Sequence, residues 1–272
     1  MDVKLLGPLE AGVDGIGTAP TAAKPRQVLA LLALNPGRVV PVSTLVDELW
    51  GERVPRSAAT TLQTYVLQLR RMLTVALAPC GLAAKDVLVT RHAGYGLDIA
   101  PGAVDVHRFD ELRTAGRAAA EAGDAHAASD LLGRALDLWR GPALVDVETG
   151  PVLSIEVAGM EENRLAVLEA RIDADLTLGR HGAVLGELAV LTARHPLHET
   201  FCAQYMTALY RAGRASRALA EFTRLRHTLD EELGLEPTLP LRRLQEAVLR
   251  SDERLDAGRP QTHETVQLQR AG

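Results

Sequence analysis

One segment of the chain places hydroxyl, amide and guanidinium side chains at helical spacing. Between residues 57 and 77, aliphatic residues recur every three or four positions, which predicts a helix with one buried stripe. The stripe consists of Leu62, Val66, Leu69 and Leu73. The opposite side presents Thr60, Thr64, Leu67, Gln68 and Arg71, with Thr61 and Gln63 on its flanks, and Arg70 next to Arg71 is a further candidate phosphate contact. Glutamine amides match the donor and acceptor of adenine, threonine offers a hydroxyl and a methyl group, leucine can contact a thymine methyl, and arginine binds phosphate. This face therefore has the chemistry of a DNA-reading helix.

The charge distribution is compatible with that chemistry. The chain has a net charge of −5, but residues 1–100 contain ten Lys/Arg and eight Asp/Glu, a net charge of +2. Between Arg56 and Tyr95 the only acidic residue is Asp86. Binding to phosphate depends on the local field, so a basic strip on one small domain can bind DNA, although a solvated surface would look the same. Arg56, Arg91 and His92 are further candidate phosphate contacts.

The elements around this helix follow a recognisable order. Short strands broken by glycines are predicted near 3–10 and 13–16, then a buried helix over 24–34 and an extended piece over 38–42. Ser43 is predicted to cap a second helix that ends at Trp50, with Asp47 and Glu48 in its early turns. Two strand-like runs, 87–90 and 95–99, form a hairpin with a basic tip. This is the order of a winged helix-turn-helix in residues 1–100, with the hairpin as the wing.

Residues 103–250 predict an all-helical domain. Apolar periodicity of 3.6 residues covers 105–122, 125–139, 152–179, 181–194, 197–212, 215–233 and 238–250. Gly123, Gly179 and Gly213 each separate two helices and are followed at fixed intervals by apolar residues. Gly179 and Gly213 are 34 positions apart, which is the period of tetratricopeptide helix pairs, although unrelated helices with glycine C-caps would also place glycines there. The fold class is thus mainly α with an α+β N-terminal domain, and residues 251–272 read as a disordered polar tail.

Several strings in both halves resemble a known family. In the first half they are 24–34 (KPRQVLALLAL), 49–51 (LWG), 61–66 (TLQTYV), 69–71 (LRR) and 94–95 (GY). In the second half they are 104–106 (VDV), 108–109 (RF), 138–144 (LWRGPAL), 208–214 (ALYRAGR) and 232–237 (ELGLEP). Together they resemble the Streptomyces antibiotic regulatory protein family, whose N-terminal domain is similar to the winged helix of OmpR-type response regulators. The second half resembles the bacterial transcriptional activation domain, a tetratricopeptide-like bundle.

The resemblance implies a function and partners. It implies a transcriptional activator of a secondary-metabolite gene cluster, usually for an antibiotic, which binds direct repeats near the −35 region and holds RNA polymerase there. Direct repeats imply a homodimer or a head-to-tail pair of protomers on DNA. The loop that touches polymerase in OmpR-type proteins corresponds to Gly51, Glu52, Arg53, Val54 and Pro55. Gly96 departs from the family, which often has a polar or basic residue there, and this weakens the charge of the wing.

Other classes of function find less support in the residues. We expect no enzyme, metal or cofactor, because no phosphate-binding loop or catalytic constellation is present and the pair His195 and His198 reads as a helix boundary. The surface pair Glu161 and Glu162 reads as a solvated helix face. No apolar run approaches about 20 residues, no leader is evident and there are only two cysteines, so we expect a cytoplasmic protein acting at the nucleoid. Two alternatives are a protein-interaction adapter and a small-molecule-gated repressor.

Overall fold

A computed structural model describes residues 1–252 and 255. The chain divides into two compact units, one formed by residues 1–118 and 130–168 and the other by residues 119–129 and the described residues from 169 onward. The first unit begins with an antiparallel meander of β1 (Asp2–Lys4), β2 (Glu10–Val13) and β3 (Ile16–Gly17). The predicted tail at 251–272 lies outside the described residues, except for positions 251, 252 and 255.

Three helices follow the meander. They are α1 (Ala23–Ala33), α2 (Val42–Trp50) and α3 (Ala58–Leu77), and they confirm the predicted helices to within a residue or two. In α1 nearly every apolar residue is buried, and Pro25 lies in the first turn, where its missing N–H costs no hydrogen bond. The predicted cap at Ser43 is wrong: α2 already begins at Val42, after an extended Pro41 that gives it no side-chain cap. Glu48 lies near the end of α2, not in its early turns, and is buried.

A second three-stranded sheet forms the wing. The extended piece before α2 is β4 (Val39–Pro41), and after the one-turn α4 (Ala84–Val87) come β5 (Leu88–Arg91) and β6 (Gly94–Leu97). The strand order is β4-β6-β5, all antiparallel. β6 runs so close to its neighbour that a β-carbon on Gly94 would lie 2.0 Å from the Val40 carbonyl oxygen, and one on Gly96 would lie 2.7 Å from the Arg38 carbonyl oxygen. This close approach explains why Gly96 has no polar or basic side chain.

The chain beyond the wing is helical, as predicted. Its helices are α5 (Asp105–Glu121), α6 (Ala125–Leu136), α7 (Pro151–Thr177), α8 (His181–Arg194), α9 (Glu199–Arg211), α10 (Ala215–Leu233) and α11 (Leu239–Leu249). In the second unit, α9 packs against α8, α10 and α11. His198 caps α9 by accepting a hydrogen bond from the Phe201 backbone N–H, which confirms that the histidine pair marks a helix boundary.

The glycine-anchored repeat is visible in backbone and burial. Gly123, Gly179 and Gly213 have φ angles of +80°, +74° and +74°, the left-handed conformation that ends a helix and favours glycine. The residues five, nine and twelve positions after each glycine are all buried. These are Ala128, Leu132, Ala135, Val184, Leu188, Leu191, Ala218, Phe222 and Leu225. One register thus places equivalent side chains in the core three times, as tetratricopeptide-like helix pairs do.

Buried carboxylates connect the winged helix to the segment 139–153 within the first unit. Glu48 on α2 accepts hydrogen bonds from the backbone N–H groups of Gly150, Val152 and Leu153 at 2.6, 3.0 and 2.9 Å. Asp105 accepts hydrogen bonds from the backbone of Leu5 and Leu6. These contacts join residues about a hundred positions apart, so the N-terminal segment shares its packing with α5, and α2 shares its packing with the residues at the start of α7.

The 138–144 string has a structural role in the same unit. Trp139 packs edge-on against Phe109 at a centroid distance of 5.6 Å, and the Arg164 guanidinium lies 4.6 Å above its ring. The Ala143 backbone N–H donates to Glu161 Oε1 at 2.9 Å. The prediction that Glu161 belongs to a solvated face is therefore wrong, because its carboxylate is half-buried and holds this loop; Glu162 is exposed as expected.

Candidate nucleic-acid interface

Helix α3 has one apolar side and one open side. Its predicted stripe of Leu62, Val66, Leu69 and Leu73 is buried, each residue being at most 3% exposed. That side packs on α1 and α2, as the second helix of a helix-turn-helix does. The apolar periodicity alone therefore determined which face of α3 points outward.

The opposite side of α3 lies in solvent. Among the predicted reading residues, Thr61 is half-buried, and the exposed ones are Thr60, Gln63, Thr64, Leu67, Gln68 and Arg71. Leu67 is 50% exposed, so it does not pack into a neighbouring element. The Thr64 hydroxyl donates to the Thr60 carbonyl oxygen at 3.1 Å, which leaves the lone pairs of the hydroxyl oxygen available as acceptors. The open side thus presents two amides, hydroxyls, one aliphatic group and one guanidinium.

Arg70 connects α3 to the wing. Its Nε and Nη2 donate to the Leu88 carbonyl oxygen at 3.0 and 2.7 Å, and Nη2 also donates to Thr90 Oγ1 at 2.8 Å. Sequence reasoning placed Arg70 among the phosphate contacts, but most of its donors are used inside the protein. Its clear structural role is to hold β5 against α3, while contact with phosphate stays a prediction.

A basic cleft lies beside the hydrogen bonds that join Arg70 to β5. It has a volume of about 530 Å³ and is lined by Arg70, Lys85, Thr90 and Arg91 together with two acids, Asp86 and Asp98. Lys85 is exposed on the short helix α4. Lys85 is not among the predicted site residues, because α4 is only one turn long and its sequence has no periodicity that indicates an outward face. The absence of other acids between Arg56 and Tyr95 was the one signal that pointed to it.

The remaining predicted phosphate contacts occupy the two ends of this surface. Arg56 is exposed immediately before α3, and Arg91 and His92 are exposed at the turn between β5 and β6. In the part of the chain that the structure describes, neither Arg56, Arg71 nor Arg91 forms an ion pair with a carboxylate. Their guanidinium groups are therefore available to an external anion.

The loop between α2 and α3 forms a separate surface. Gly51 ends α2 with φ +52°, and its backbone N–H donates to the Asp47 carbonyl oxygen at 2.8 Å. Glu52, Arg53 and Val54 are exposed, whereas Pro55 is half-buried. Trp50 and Tyr65 stack with centroids 6.4 Å apart and so fix the end of α2 against α3. The loop that was predicted to contact polymerase is therefore accessible, and the stacked rings hold the end of α2 from which it starts; the polymerase contact itself stays a prediction.

Two family models match the chain. "Transcriptional regulatory protein, C terminal" matches residues 19–97, and "Bacterial transcriptional activator domain" matches residues 104–249. The regulatory protein DnrI of Streptomyces peucetius is 53% identical over 96% of both chains. The chain belongs to the Streptomyces antibiotic regulatory protein family of transcriptional activators. The two family models meet near the predicted boundary at 100–103, although the compact units divide elsewhere, so the predicted domain limits stay a prediction.

Other relatives in this family differ in length. The transcriptional regulator RedD of Streptomyces coelicolor is 37% identical over 93% of this chain and 71% of its own. The regulatory protein AfsR of Streptomyces coelicolor is 39% identical, and the match covers 96% of this chain but 25% of AfsR. The family arrangement seen here thus also occurs inside a much longer regulator.

A solved structure confirms the fold of this family. Mycobacterium tuberculosis EmbR, determined in complex with a low affinity phosphopeptide, superposes with a TM-score of 0.86 at 36% identity, covering 94% of this chain and 68% of EmbR. An OmpR-like winged helix followed by an all-helical domain is therefore the observed architecture. No helix within residues 1–252 is both long and apolar enough to cross a membrane, and no three metal-ligating side chains cluster in that range.

Proposed function

We propose that the chain is a sequence-specific DNA-binding activator of an antibiotic biosynthetic gene cluster in the bacterial cytoplasm. It binds direct repeats near the −35 region, as a head-to-tail pair of protomers, and recruits RNA polymerase. The observation that supports this best is the open side of α3, which exposes Gln63, Gln68 and Arg71 while its aliphatic side is buried.

The arrangement gives each group a role. Gln63 and Gln68 read adenines in the major groove, the threonines contact base edges or phosphates, and Leu67 meets a thymine methyl group. Arg56, Arg71, Lys85, Arg91 and His92 bind phosphates on either side of that groove. Arg70 fixes the wing to α3, so that helix and hairpin meet the duplex as one surface. This division assigns specificity to α3 and most of the affinity to the surrounding cations.

Footprinting of the full chain on the promoters that flank its gene tests the proposal. We expect protected direct repeats at a regular spacing of about 10–10.5 base pairs or a multiple of it, since head-to-tail protomers must face the same side of the duplex. Absence of any sequence-specific protection at moderate salt would reject DNA recognition. The repeat-built adapter would then be the better account of the chain.

Two classes of variant separate reading from phosphate binding. Arg71→Ala should weaken binding to all sequences and reduce the slope of log K against log salt by about 1. Gln63→Ala or Gln68→Ala should lower the preference at one base pair by about 1–3 kcal/mol and leave the salt slope unchanged. Glu111→Ala, an exposed change on α5, is the matched control. If both classes gave identical effects on the salt slope and on base preference, the assignment of the open side of α3 would be wrong.

A further inference from the structure

An apolar groove with acidic edges lies where the α2–α3 loop meets the first turn of α7. The groove has a volume of about 540 Å³. Besides Gly51, its lining consists of Asp47, Glu52, Pro151, Val152, Ile155 and Glu156, and we call these six residues the α2–α7 patch. The patch therefore combines the loop assigned to polymerase contact with residues of the activation domain, all within one compact unit.

The apolar part of the patch is exposed although its helix is well anchored. Ile155 is 73% exposed, whereas Leu153, two positions earlier, is fully buried. The first turn of α7 is thus docked on one side and open on the other. A large aliphatic side chain held in solvent and rimmed by polar groups is typical of a protein-binding site.

Buried hydrogen bonds fix the relative position of the two halves of the patch. Glu48, which follows Asp47 on α2, accepts the backbone N–H groups of Gly150, Val152 and Leu153. A β-carbon on Gly150 would lie 2.0 Å from the Glu48 carbonyl oxygen, so the backbones touch at this point. The loop and α7 consequently present one preformed surface.

The charge of the patch restricts what can occupy it. In the described part of the chain, Asp47, Glu52 and Glu156 form no ion pair, so three carboxylates surround the apolar centre without a cation. They would repel DNA phosphates. The basic surface of a second copy is a poor occupant, since DNA covers that surface in the proposed complex. The complementary ligand is a helix with apolar side chains along one face and Lys or Arg beside it.

We propose that the α2–α7 patch binds an amphipathic, basic-flanked helix of the RNA polymerase holoenzyme. Ile155 and Val152 contact its apolar face, and Glu52 and Glu156 pair with its cations. This inference rests on the proposed function and deepens it, because it adds residues of α7 to the loop as the recruiting surface.

Variants that divide the patch by chemistry test the proposal. Ile155→Glu removes the apolar contact, and Glu156→Lys reverses one charge. We expect each to lower transcription from the repeat-containing promoter about tenfold or more, while DNA affinity stays within about twofold of the parent protein. Val190→Glu on α8, at a position that is 48% exposed, and Glu111→Lys at an exposed position of α5 are controls with the same charge changes, and both should leave transcription unchanged.

A crosslinking measurement keeps the test independent of any folding defect. Glu156→p-benzoylphenylalanine places a photoreactive group at an exposed position, and irradiation of the promoter complex should attach it to a polymerase subunit. Crosslinking to a second copy of this chain alone, or normal transcription by Ile155→Glu, overturns the patch and leaves the proposed function intact. If the parent chain itself fails to protect DNA or to activate, the proposed function fails instead, and the patch assignment fails with it.

Discussion

Removing the Glu48 carboxylate should destabilise the first unit far more than a change to an exposed glutamate. Glu48 is 2% exposed, and its two oxygens accept three backbone N–H groups at the start of α7. Glu48→Ala leaves those donors without a partner and removes a negative charge from a helix N-terminus. Of the three donor residues, only Leu153 is fully buried, so in Glu48→Ala water can reach the freed N–H groups of Gly150 and Val152.

The expected magnitude follows from that geometry. One deeply buried unsatisfied N–H costs about 1–3 kcal/mol, and loss of the charge at the helix terminus adds about 0.3–1 kcal/mol. With the small cavity left by the side chain, Glu48→Ala should lower the free energy of unfolding by about 2–4 kcal/mol. Glu48→Gln should cost less, about 1–2 kcal/mol, because its oxygen still accepts while its amide group meets N–H donors.

Urea denaturation followed by circular dichroism measures these differences. Glu111→Ala, at an exposed position of α5, should stay within about 0.5 kcal/mol of the parent chain. The critical outcome is the order of the losses in the free energy of unfolding, which should be largest for Glu48→Ala, smaller for Glu48→Gln and smallest for the control Glu111→Ala. If Glu48→Ala were as stable as the control, the buried carboxylate would not hold α7 in place, and the preformed α2–α7 patch would lose its physical basis.

Three other measurements test different parts of the structure. Burial raises the pKa of Asp105, so its carboxyl group keeps its proton to a higher pH in the folded state than in the unfolded state. The free energy of unfolding should therefore fall as pH rises above 3.8, the ordinary pKa, through the folded pKa. Denaturation curves in the acid range measure this slope, and Asp105→Asn should remove it. Burial raises the pKa of Cys202 to about 12, so a disulfide reagent should titrate only Cys80 in the native protein and both thiols in guanidinium; fast reaction of two native thiols would contradict this. Gly94→Ala should distort the wing and weaken DNA binding on all sequences. Gly133→Ala in α6, where an added β-carbon meets open space, should keep the DNA affinity and add about 0.5–1 kcal/mol to the free energy of unfolding. Equal DNA affinities of the two variants would refute the close approach of Gly94 to the Val40 carbonyl oxygen.

Local periodicity predicted most of the fold. The bounds of α3 and of α5 to α11 were correct to within three residues, because their apolar residues recur at 3.6-residue intervals and glycines end several of them. The same stripe on α3 also predicted which side chains reach solvent. The repeat register anchored on three glycines identifies nine apolar positions, and all nine are buried, since helix pairs that stack in the same way bury equivalent residues.

What the sequence did not predict depends on contacts between distant residues. Glutamate is usually a surface residue, so nothing local indicates that the carboxylates of Glu48 and Glu161 are shielded from solvent. Their hydrogen-bond donors are the backbone N–H groups of Gly150, 102 positions from Glu48, and of Ala143, 18 positions from Glu161. Arg70 likewise appeared to face DNA, because nothing local indicates that Leu88 lies within reach of its guanidinium. Periodicity identifies which side of a helix is buried, but it does not identify the partner of a polar side chain.

The nine-residue helix α2 joins the open side of α3 to the α2–α7 patch, and this has a mechanical consequence. Stacking of Trp50 on Tyr65 fixes α2 to α3, and Glu48 fixes α2 to α7. A recruiting surface on a flexible tether would have to be ordered when polymerase binds, at an entropic cost. Here the surface is ordered by folding, so DNA binding sets its direction. Moving the repeats by about 5 base pairs, half a helical turn, should therefore abolish activation at unchanged DNA affinity, whereas moving them by a full turn should restore part of it.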